Sequence, residues 1–396
     1  MSLRGATPST VHAAIDDADP FPGTSGFAGA VDGRLVRDVL GRVPLYVERD
    51  ALGADAADLG TPIDAAETRE SADVAGLETP ADAADAGTWA FSPRALAEPA
   101  LFPAGSIADG DGLRRRWRLP DPEPERDHGR ALDRLERAFD VATAAVDADV
   151  AVAFSGGVDS ALVAAALEAP CYVVGFPGSH DVEAARTAAA AMGADLEVVT
   201  VDHADVTRAV PIVARATGRT DAMAVSIALG LFFAAERVAA DGFDALAVGQ
   251  GADELFGGYE KVARLDDRVA ADTVRGAVRE QLATLPTQLP RDVLAIEAAG
   301  VEPVAPYLQD AVVEAALELP EALLVDGHER KVGLRRIAAR RLPATVAERE
   351  KKAVQYGSLI ARELDRLARR AGYKRRMDDH VRLYVESLLE DGSDRE

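Results

Sequence analysis

A glycine-containing turn between a strand-like run and a helix-like run is the feature that most constrains this chain. The apolar run at 150–154 predicts a buried strand, Ser-Gly-Gly-Val-Asp-Ser at 155–160 predicts a turn, and 161–167 predicts a helix. A helix start presents unpaired backbone N–H groups and the positive end of the helix dipole, and two glycines let a bulky anion approach them. The turn therefore predicts a site for phosphate or pyrophosphate, where Asp159 implies an intervening cation such as Mg²⁺.

A second loop of this kind follows the strand-like run at 245–248. Its glycines clear space for a nucleotide, and Asp253 and Glu254 supply hard oxygen ligands for Mg²⁺ or for ribose hydroxyls. Each loop has a plainer alternative, a Gly-Gly turn in the first case and a solvated acidic loop in the second. Ligands of open α/β sheets bind at the carboxyl ends of strands. We therefore expect the turns at 155–160 and 249–254 to converge on a magnesium-bound triphosphate.

Strand-like and helix-like runs alternate through the middle of the chain. Runs at 172–176 and 196–201 predict strands, and runs at 133–146 and 182–192 predict helices. The strand-like runs are rich in Val, Leu and Ala, as in strands that are covered on both faces. The alternation predicts an α/β fold with a doubly wound parallel sheet.

Several segments resemble motifs of one family. The turn at 155–160 resembles the SGGxDS signature of the PP-loop ATP pyrophosphatases, which have the adenine nucleotide α-hydrolase-like fold and split ATP into AMP and pyrophosphate. The loop at 249–259 resembles the SGEGxDExFGGY segment of asparagine synthetases. Further similar segments lie at 172–181 (VGxPGSxD), 300–308 (GxExRxPFL), 331–335 (KxxLR) and 342–351 (LPxx(I/V)xxRxK). This part of the chain thus resembles the synthetase domain of glutamine-hydrolysing asparagine synthetases.

The resemblance implies ATP and Mg²⁺ as ligands and gives roles to individual residues. ATP and pyrophosphate would be bound by Phe154, Ser155, Gly156, Gly157, Asp159, Ser160, Val174, Val248, Gly249, Arg349 and Lys351. Asp159 and Asp253 would bind the metal, and Lys331, Glu302 and Gln250 would be catalytic. In this assignment Lys331 contacts the phosphates or the leaving pyrophosphate, and Glu302 is a buried acid near the acyl-adenylate.

The front of the chain resembles the glutaminase domain of the same synthetases, through 36–46 (RDxxGxxPLYY), 91–92 and 101–106. The resemblance implies a smaller antiparallel β domain at 1–119. An acidic insertion at 51–87 interrupts it, and a linker at 120–130 joins it to the synthetase-like domain at 131–396.

The chemistry of that glutaminase domain is not recognisable here. The reaction uses an N-terminal cysteine, whereas this chain starts Met1-Ser2-Leu3 and its single cysteine, Cys171, opens a predicted strand. We interpret the domain as degenerate, without intrinsic glutaminase activity. Ammonia would then come from solution or from a separate partner protein.

The reaction implied by the resemblance has two steps. ATP activates a carboxylate as an acyl-adenylate, and ammonia then forms the amide. Two residues depart from the family pattern. Gln250 stands where asparagine synthetases have glutamate, and an amide cannot take a proton at neutral pH. Ser226, five positions after Asp221, stands where the aspartate-binding segment has arginine. Serine cannot form a bidentate pair with a carboxylate.

Three hypotheses follow from these residues. The first is an asparagine synthetase-like ligase that adenylates aspartate and uses ammonia. The second is an AMP-forming amide ligase or amidotransferase that acts on a different carboxylate. The third is a non-catalytic nucleotide-binding protein, which the presence of the 155–160 motif, Asp253 and Lys331 disfavours. The partners expected are a small carboxylate substrate, ammonia and a possible separate protein that supplies it, and the chain could form a homodimer.

Composition restricts the partners and the surroundings. With 67 acidic and 44 basic residues among 396, the formal net charge is -23, which disfavours nucleic acids and anionic membrane surfaces as partners. We identify no apolar run that approaches the ~20 residues of a membrane span and no signal peptide, so the sequence predicts a cytoplasmic protein. Abundant Asp, Glu and Ala, with scarce lysine, indicate a halophilic source.

The halophilic assignment predicts that the fold depends on salt. We expect full secondary structure in molar KCl and its loss in dilute buffer, because salt screens repulsion among acidic groups to about 3 Å at 1 M. Far-UV circular dichroism across a dialysis series measures this. Full stability in dilute buffer would contradict the assignment.

Overall fold

The computed structural model describes residues 3–52, 88–349, 357–377 and 379–393. The predicted insertion at 51–87 lies outside the described residues, except for Ala51 and Leu52. The chain divides into two compact units, each built from separate stretches. The first unit comprises Met1–Ala142, Gln250–Pro290 and Ala305–Leu334, and the second comprises Thr143–Gly249, Arg291–Val304 and Arg335–Glu396.

Antiparallel strands form the front of the first unit. The elements are β1 (Leu3–Arg4), α1 (Pro8–Asp17), β2 (Ala28–Val31), β3 (Arg34–Arg37), β4 (Tyr46–Glu48), β5 (Trp89–Ala90), β6 (Pro99–Leu101), β7 (Ser106–Asp109) and β8 (Gly112–Arg115). They make a five-stranded sheet in the order β1-β2-β3-β7-β8 and a three-stranded sheet in the order β5-β4-β6. Asp32 and Gly33, both with positive φ, form the two-residue turn between β2 and β3 that suits the twist of a hairpin. The predicted smaller antiparallel β region is confirmed.

The rest of the chain alternates helices and strands. Its first elements are α2 (His128–Ala144), β9 (Val150–Ala153), α3 (Val158–Leu167), β10 (Cys171–Gly175), α4 (His180–Met192), β11 (Leu196–Thr200), α5 (His203–Thr217), α6 (Ala222–Ala240) and β12 (Ala245–Ala247). These are followed by α7 (Ala252–Leu255), α8 (Glu260–Arg264), α9 (Val274–Leu282), α10 (Leu285–Glu297), β13 (Glu302–Val304), α11 (Asp310–Leu317), α12 (Glu321–Leu324), β14 (Val325–Asp326) and β15 (Glu329–Arg330). The final helices are α13 (Val332–Ala338), α14 (Ala344–Ala347), α15 (Gly357–Arg370) and α16 (His380–Ser393).

A parallel five-stranded sheet forms the second unit, in the order β11-β10-β9-β12-β13. Its central strands are buried, as expected for strands that are covered on both faces by helices. The predicted α/β fold with a doubly wound parallel sheet is therefore confirmed. The strand order reverses between β9 and β12, and such reversals create a ligand-binding crevice at the carboxyl ends of the strands.

The helices around this sheet begin and end at sequence signals. Ser179, Asp202 and Asp221 are the N-caps of α4, α5 and α6, and each side chain accepts a hydrogen bond from a first-turn N–H group. Gly193 and Gly218 end α4 and α5 in the left-handed conformation. Local capping thus explains why these helices have the lengths they do.

The helix α6 corrects one expectation from the sequence. It is long and apolar enough, by length and composition, to cross a membrane, whereas no such run was expected from the sequence. Ser226 and Gly230 interrupt the apolar residues and hide the run in the sequence. In the structure α6 packs against α5, α15 and strands of the parallel sheet, and 61% of its apolar window is buried. This is the behaviour of a core helix.

The helix α2 begins earlier than the sequence predicts. The pattern at 133–146 misses the first turn, which starts at His128. The Asp127 carboxylate accepts hydrogen bonds from the N–H groups of Gly129 and Arg130, at 2.8 and 3.1 Å. This polar turn carries no apolar periodicity, so only the cap marks it.

Arg37 is fully buried in the first unit and, among the residues that the structure describes, donates to main-chain carbonyl oxygens alone. Its guanidinium donates to the carbonyl groups of Gly41 and Phe102 at 2.7 Å, and to those of Val43 and Pro286 at 3.1 Å. Burial lowers the pKa of Arg37 to about 10, but the group stays charged at neutral pH. The arginine thereby links the front sheet to α10 inside this unit.

A second buried network surrounds Arg42 in the same unit. Its guanidinium contacts the Asp38 carboxylate at 2.8 Å and the Asp310 carboxylate at 2.6 Å, and it donates to the Leu308 carbonyl at 2.7 Å. The second Asp310 oxygen accepts from the Thr24 N–H group at 2.6 Å. Burial raises the pKa of Asp310, and the neighbouring Arg42 opposes this shift. Asp310 therefore joins the front sheet to the start of α11.

Removing Asp310 tests this network. Asp310→Ala leaves Arg42 buried with one carboxylate fewer, and breaking a buried pair in this way costs about 3–5 kcal/mol. We expect a lower urea midpoint in molar KCl, measured by circular dichroism. Asp326→Ala, on the exposed strand β14, is the matched control and should change the free energy of unfolding by about 0.5 kcal/mol or less. Equal effects of the two variants would contradict a stabilising role for the network.

Candidate functional site

The turn at 155–160 connects β9 directly to α3, as the sequence predicts. The N-cap of α3 is Gly157, which has no side chain to cover the first-turn N–H groups. Ser160 Oγ accepts from Ser155 N at 3.2 Å, and Ser155 Oγ accepts from Gly157 N at 3.3 Å. The helix start is thus lined with hydroxyl groups and backbone donors, which is the arrangement that binds anions.

Two glycines permit the close packing around this turn. Gly156 has a φ of +72°, and a Cβ atom there would lie 2.8 Å from the Ala184 carbonyl oxygen in α4. A Cβ atom on Gly249 would lie 3.2 Å from both Asp159 Cβ and Ser160 N. The tip of β12 therefore meets the start of α3, and only a residue without a side chain fits there without a shift of its neighbours.

Arg349 lies against the same turn. Its Nη1 donates to the carbonyl oxygens of Ala184 at 3.0 Å and Gly156 at 3.3 Å. Arg335 in turn donates to the Arg349 carbonyl at 3.0 Å, which fixes the backbone behind it. The structure thus brings Arg349 to the turn at 155–160, whereas Lys351 lies outside the described residues.

Three of the predicted nucleotide contacts are apolar residues at strand ends. Phe154 follows β9, Val174 lies at the end of β10, and Val248 follows β12. All three side chains are buried in the core of the second unit. Any contact that these residues offer to a nucleotide is therefore mainly a main-chain contact.

Lys331 and Asp253 form an ion pair in the first unit. Lys331 Nζ lies 2.6 Å from Asp253 Oδ1, and Lys331 is only 3% exposed. Lys331 also has a φ of +59°, a left-handed conformation that costs about 1–3 kcal/mol in residues other than glycine. Such strain is typical of functional positions, so the geometry supports the role that the sequence assigns to this lysine.

Gly258 provides the space for this ion pair. A Cβ atom on Gly258 would lie 2.0 Å from Asp253 Oδ1 and 2.3 Å from Lys331 Cε. Its carbonyl oxygen accepts from Arg330 Nη1 at 2.8 Å. No role was predicted for Gly258 or Arg330 from the sequence; the two consecutive glycines at 257–258 were the available signal.

Glu254 is less suited to bind a metal than the sequence suggests. Its side chain is 7% exposed and accepts a hydrogen bond from the Tyr259 hydroxyl. Burial raises the pKa of Glu254, and the Tyr259 hydrogen bond opposes this shift. The group is therefore engaged inside the first unit, next to the Asp253–Lys331 pair.

The predicted metal ligands, Asp159 and Asp253, are carboxylates at the starts of two helices. Among the described residues, no cluster of three or more His, Cys, Asp or Glu side chains is arranged to hold a metal ion. Asp159 lies in the first turn of α3 and Asp253 in the first turn of α7, each partly exposed. Mg²⁺ in nucleotide sites is commonly held by one or two carboxylates together with phosphate oxygens and water, so these residues suit that type of site.

Glu302 corrects the sequence prediction. It was expected to be a buried acid near the acyl-adenylate, but it is exposed at the start of β13. It pairs in register with Ala245, the first residue of β12. Because β13 runs parallel to β12, Glu302 lies at the amino edge of the sheet, opposite to the edge with the turn at 155–160. This position excludes Glu302 from the site at the carboxyl ends of the strands.

The segment expected to hold the substrate carboxylate is part of α6. Asp221 caps this helix and pairs with Arg219 at 2.9 Å. Ser226 is buried and donates to the Met223 carbonyl at 2.9 Å, within the helix. Serine therefore occupies the position where the family pattern has arginine, and its hydroxyl is hydrogen-bonded within the same helix.

Comparisons with known proteins point to one family. The asparagine synthase family model matches residues 130–282 and 266–390. A "Putative asparagine synthetase (glutamine-hydrolyzing) 1" of Methanocaldococcus jannaschii is 28% identical over 278 residues, which cover 61% of this chain and 51% of the relative. Asparagine synthetase B (glutamine-hydrolyzing) of Escherichia coli is 25% identical over 227 residues, which cover 52% and 41%.

These matches have limits of coverage. The chain spans about half the length or less of the two relatives. The family match begins at residue 130, so the degenerate glutaminase-like character of the front region stays a prediction. A solved structure described as a predicted subunit of a tRNA methyltransferase, from Methanocaldococcus jannaschii, is 20% identical and covers 48% of this chain and 75% of its own. Its TM-score of 0.23 carries no structural argument.

Gly258→Ala tests whether the Asp253–Lys331 pair contributes to nucleotide binding. The added methyl group must displace the pair, so we expect at least tenfold weaker binding of ATP with Mg²⁺, about 1.4 kcal/mol, by isothermal titration calorimetry. Gly110→Ala is the matched control, because a Cβ atom there has nothing within 4 Å. Circular dichroism checks that both variants fold. A folded Gly258→Ala protein that binds ATP like the wild type would contradict a role for the pair.

Proposed function

This chain belongs to the asparagine synthase family, and we propose on that premise that it is an ATP-dependent ligase that joins a carboxylate to ammonia. In the proposed reaction, a carboxylate oxygen attacks the α-phosphorus of ATP, the bond from that phosphorus to the bridging oxygen breaks, and pyrophosphate leaves. Ammonia then attacks the acyl carbon and loses a proton, and AMP leaves. Aspartate is the first candidate for the carboxylate substrate.

The observation that carries this proposal is the contact between Gly249 and the start of α3. It joins two glycine-containing turns at the point where the strand order reverses. The N–H groups at the helix start, the hydroxyls of Ser155 and Ser160, and nearby Arg349 offer donors to a triphosphate. Fixed donors of this kind stabilise the charge that develops on leaving pyrophosphate.

The Asp253–Lys331 pair supports the same reaction. A buried ammonium group is a suitable partner for the developing negative charge of a phosphate, and Lys331 already has an anionic partner that a phosphate can replace. Asp159, in the second unit, and Asp253, in the first, are each a carboxylate that would suit Mg²⁺. When bound, Mg²⁺ would neutralise charge on the phosphates and on the leaving group.

The proton of the attacking nitrogen needs an acceptor. Gln250 follows Gly249 in the chain, and its amide can orient ammonia by hydrogen bonds but cannot accept a proton at neutral pH. Glu302 lies at the other edge of the sheet, so it does not take this role. We propose that water or a second ammonia molecule takes the proton, while Gln250 positions the nucleophile.

Ammonia is proposed to come from solution or from a partner protein. The single cysteine, Cys171, is buried in β10, and burial raises the pKa of its thiol to about 12. Such a thiol is a poor nucleophile at neutral pH, which supports the absence of glutaminase chemistry at this residue. A cytoplasmic location and action as a monomer or homodimer complete the proposal.

A second candidate function is favoured by Ser226. Its buried hydroxyl is bonded within α6, so it offers no guanidinium to a substrate carboxylate. An AMP-forming amide ligase or amidotransferase that acts on a carboxylate other than aspartate fits this observation. The third hypothesis, a non-catalytic nucleotide-binding protein, has no observation in its favour beyond the loss of glutamate at position 250.

Pyrophosphate release separates these functions. The protein is assayed in molar KCl with ATP, Mg²⁺ and ammonia, with aspartate and then with a panel of other carboxylic acids. We expect release that requires a carboxylic acid, because adenylation precedes amide formation. Release with aspartate alone supports asparagine formation, and release with another acid supports the second function. No release with any acid would overturn the ligase proposal.

The variant Gln250→Glu sharpens this assay. If the enzyme makes asparagine, a carboxylate at position 250 should raise amide formation about tenfold or more, since general-base catalysis contributes about 10²–10⁴-fold. Gln288→Glu, on α10, is the matched control for the added charge. Loss of activity in Gln250→Glu would show that glutamine belongs to a different chemistry.

A further inference from the structure

A cavity of about 410 Å³ lies within the second unit, apart from the contacts described so far. Its volume is within the usual range of small-molecule pockets, about 300–1,000 Å³. We call it the arginine pocket, and its defining residues are Arg362, Arg366, Arg369, Arg375, Phe176 and His203. Phe176 directly follows β10, and His203 begins α5 just after β11, so the pocket lies at the carboxyl edge of the sheet.

The arginine pocket carries positive charge in a strongly acidic chain. Four guanidinium groups line it, against the two carboxylates of Glu363 and Asp365, whereas the chain as a whole has a net charge of -23. Hydrogen bonds from Arg375 lower the pKa of Asp365. Burial raises the pKa of Glu363, but the hydrogen bond from Arg366 and the charges nearby outweigh it, so this pKa is also lowered. Both acids are therefore ionised at neutral pH, and an excess of two positive charges remains.

The two carboxylates orient the arginines. Arg366 donates to Glu363 at 2.6 and 2.8 Å, and Arg375 donates to Asp365 at 2.7 and 2.8 Å. Each of these guanidinium groups uses two of its five N–H donors in this way, so further donors remain for a ligand. Arg362 makes no ion pair with a described residue. Held in place by their acids, these cations form a prepared site for an anion.

The apolar part of the lining indicates what the anion is attached to. The Phe176 ring and Leu359 supply the apolar contacts, whereas the His203 ring, 6.1 Å from Phe176, has its Nδ1 2.6 Å from Glu363 Oε1. An inorganic ion would leave these surfaces uncovered. The lining therefore fits an organic molecule with a dianionic group, either a phosphate monoester or a dicarboxylate.

We propose that the arginine pocket binds the dianionic part of the substrate that the ligase activates. Ser226 cannot provide the guanidinium of the family pattern, and the arginine pocket lies at the same edge of the sheet as the phosphate-binding turn. The substrate assignment rests on the proposed ligase function, whereas binding of the dianion does not. The substrate would then be larger than aspartate, with a phosphate or a second carboxylate remote from the acyl carbon.

Binding is measured on the full chain without ATP. Phenyl phosphate and phenylsuccinate serve as probes in calorimetric titrations in molar KCl, and inorganic phosphate tests whether the apolar part is needed. We expect one organic probe to bind, and Arg362→Gln to weaken it at least tenfold. Arg370→Gln, an exposed arginine on the same helix that does not line the arginine pocket, should leave binding unchanged. Absence of binding by both organic probes, or equal effects of the two variants, would overturn the proposal.

Kinetics then test the substrate assignment. With the acid that supports pyrophosphate release, Arg362→Gln should raise KM at least tenfold and leave kcat unchanged, because the residue contacts a remote group. An unchanged KM would overturn the assignment. Failure of the ligase proposal looks different, since the wild type would then release no pyrophosphate with any acid while the probes still bind.

Discussion

The pairing of β9 with β12 is the constraint on which the carboxyl edge of the sheet in the second unit depends. These strands are neighbours in space, but β10, β11 and four helices separate them in sequence. Because parallel strands end at one edge, the pairing sets the turn at 155–160 beside Gly249. The helix start, the serine hydroxyls and Arg349 are all arranged around that contact, so a change in this register would disperse them.

The buried and partly buried cations differ in the partners that hold them. Arg37 donates to main-chain carbonyl oxygens, which no ligand replaces, so these contacts fix the backbone. Lys331 pairs with Asp253 instead, and Arg366, Arg369 and Arg375 of the arginine pocket pair with carboxylates. A carboxylate can be exchanged for another anion, such as a phosphate, at modest cost because the charge stays compensated. A carboxylate partner is therefore compatible with ligand binding but does not by itself imply it, because Arg42 pairs with Asp38 and Asp310 inside a structural network.

Sequence reasoning predicted the sheet, the strand–turn–helix unit and the candidate phosphate contacts, because these follow from local patterns and from glycine. It was wrong about Glu302, since a motif match ignores which end of a parallel strand a residue occupies. It overlooked α6 as an apolar run because Ser226 and Gly230 interrupt the pattern. It gave no role to Arg362 and its neighbours, because only folding brings them to Phe176 and His203. Such juxtapositions depend on tertiary contacts that no window of sequence contains.

The bonding of Arg37 has a consequence for how the front of this chain can diverge. A carbonyl oxygen is common to all twenty amino acids, so the residues that accept from Arg37 at positions 43, 102 and 286 can be exchanged for others while the acceptors persist. Gly41 is the exception, because a Cβ atom there would lie 2.7 Å from Arg37 Nη2. A single arginine side chain can thus hold a backbone arrangement while the surrounding sequence diverges. Homology in such a region would remain detectable in the fold after sequence similarity had been lost.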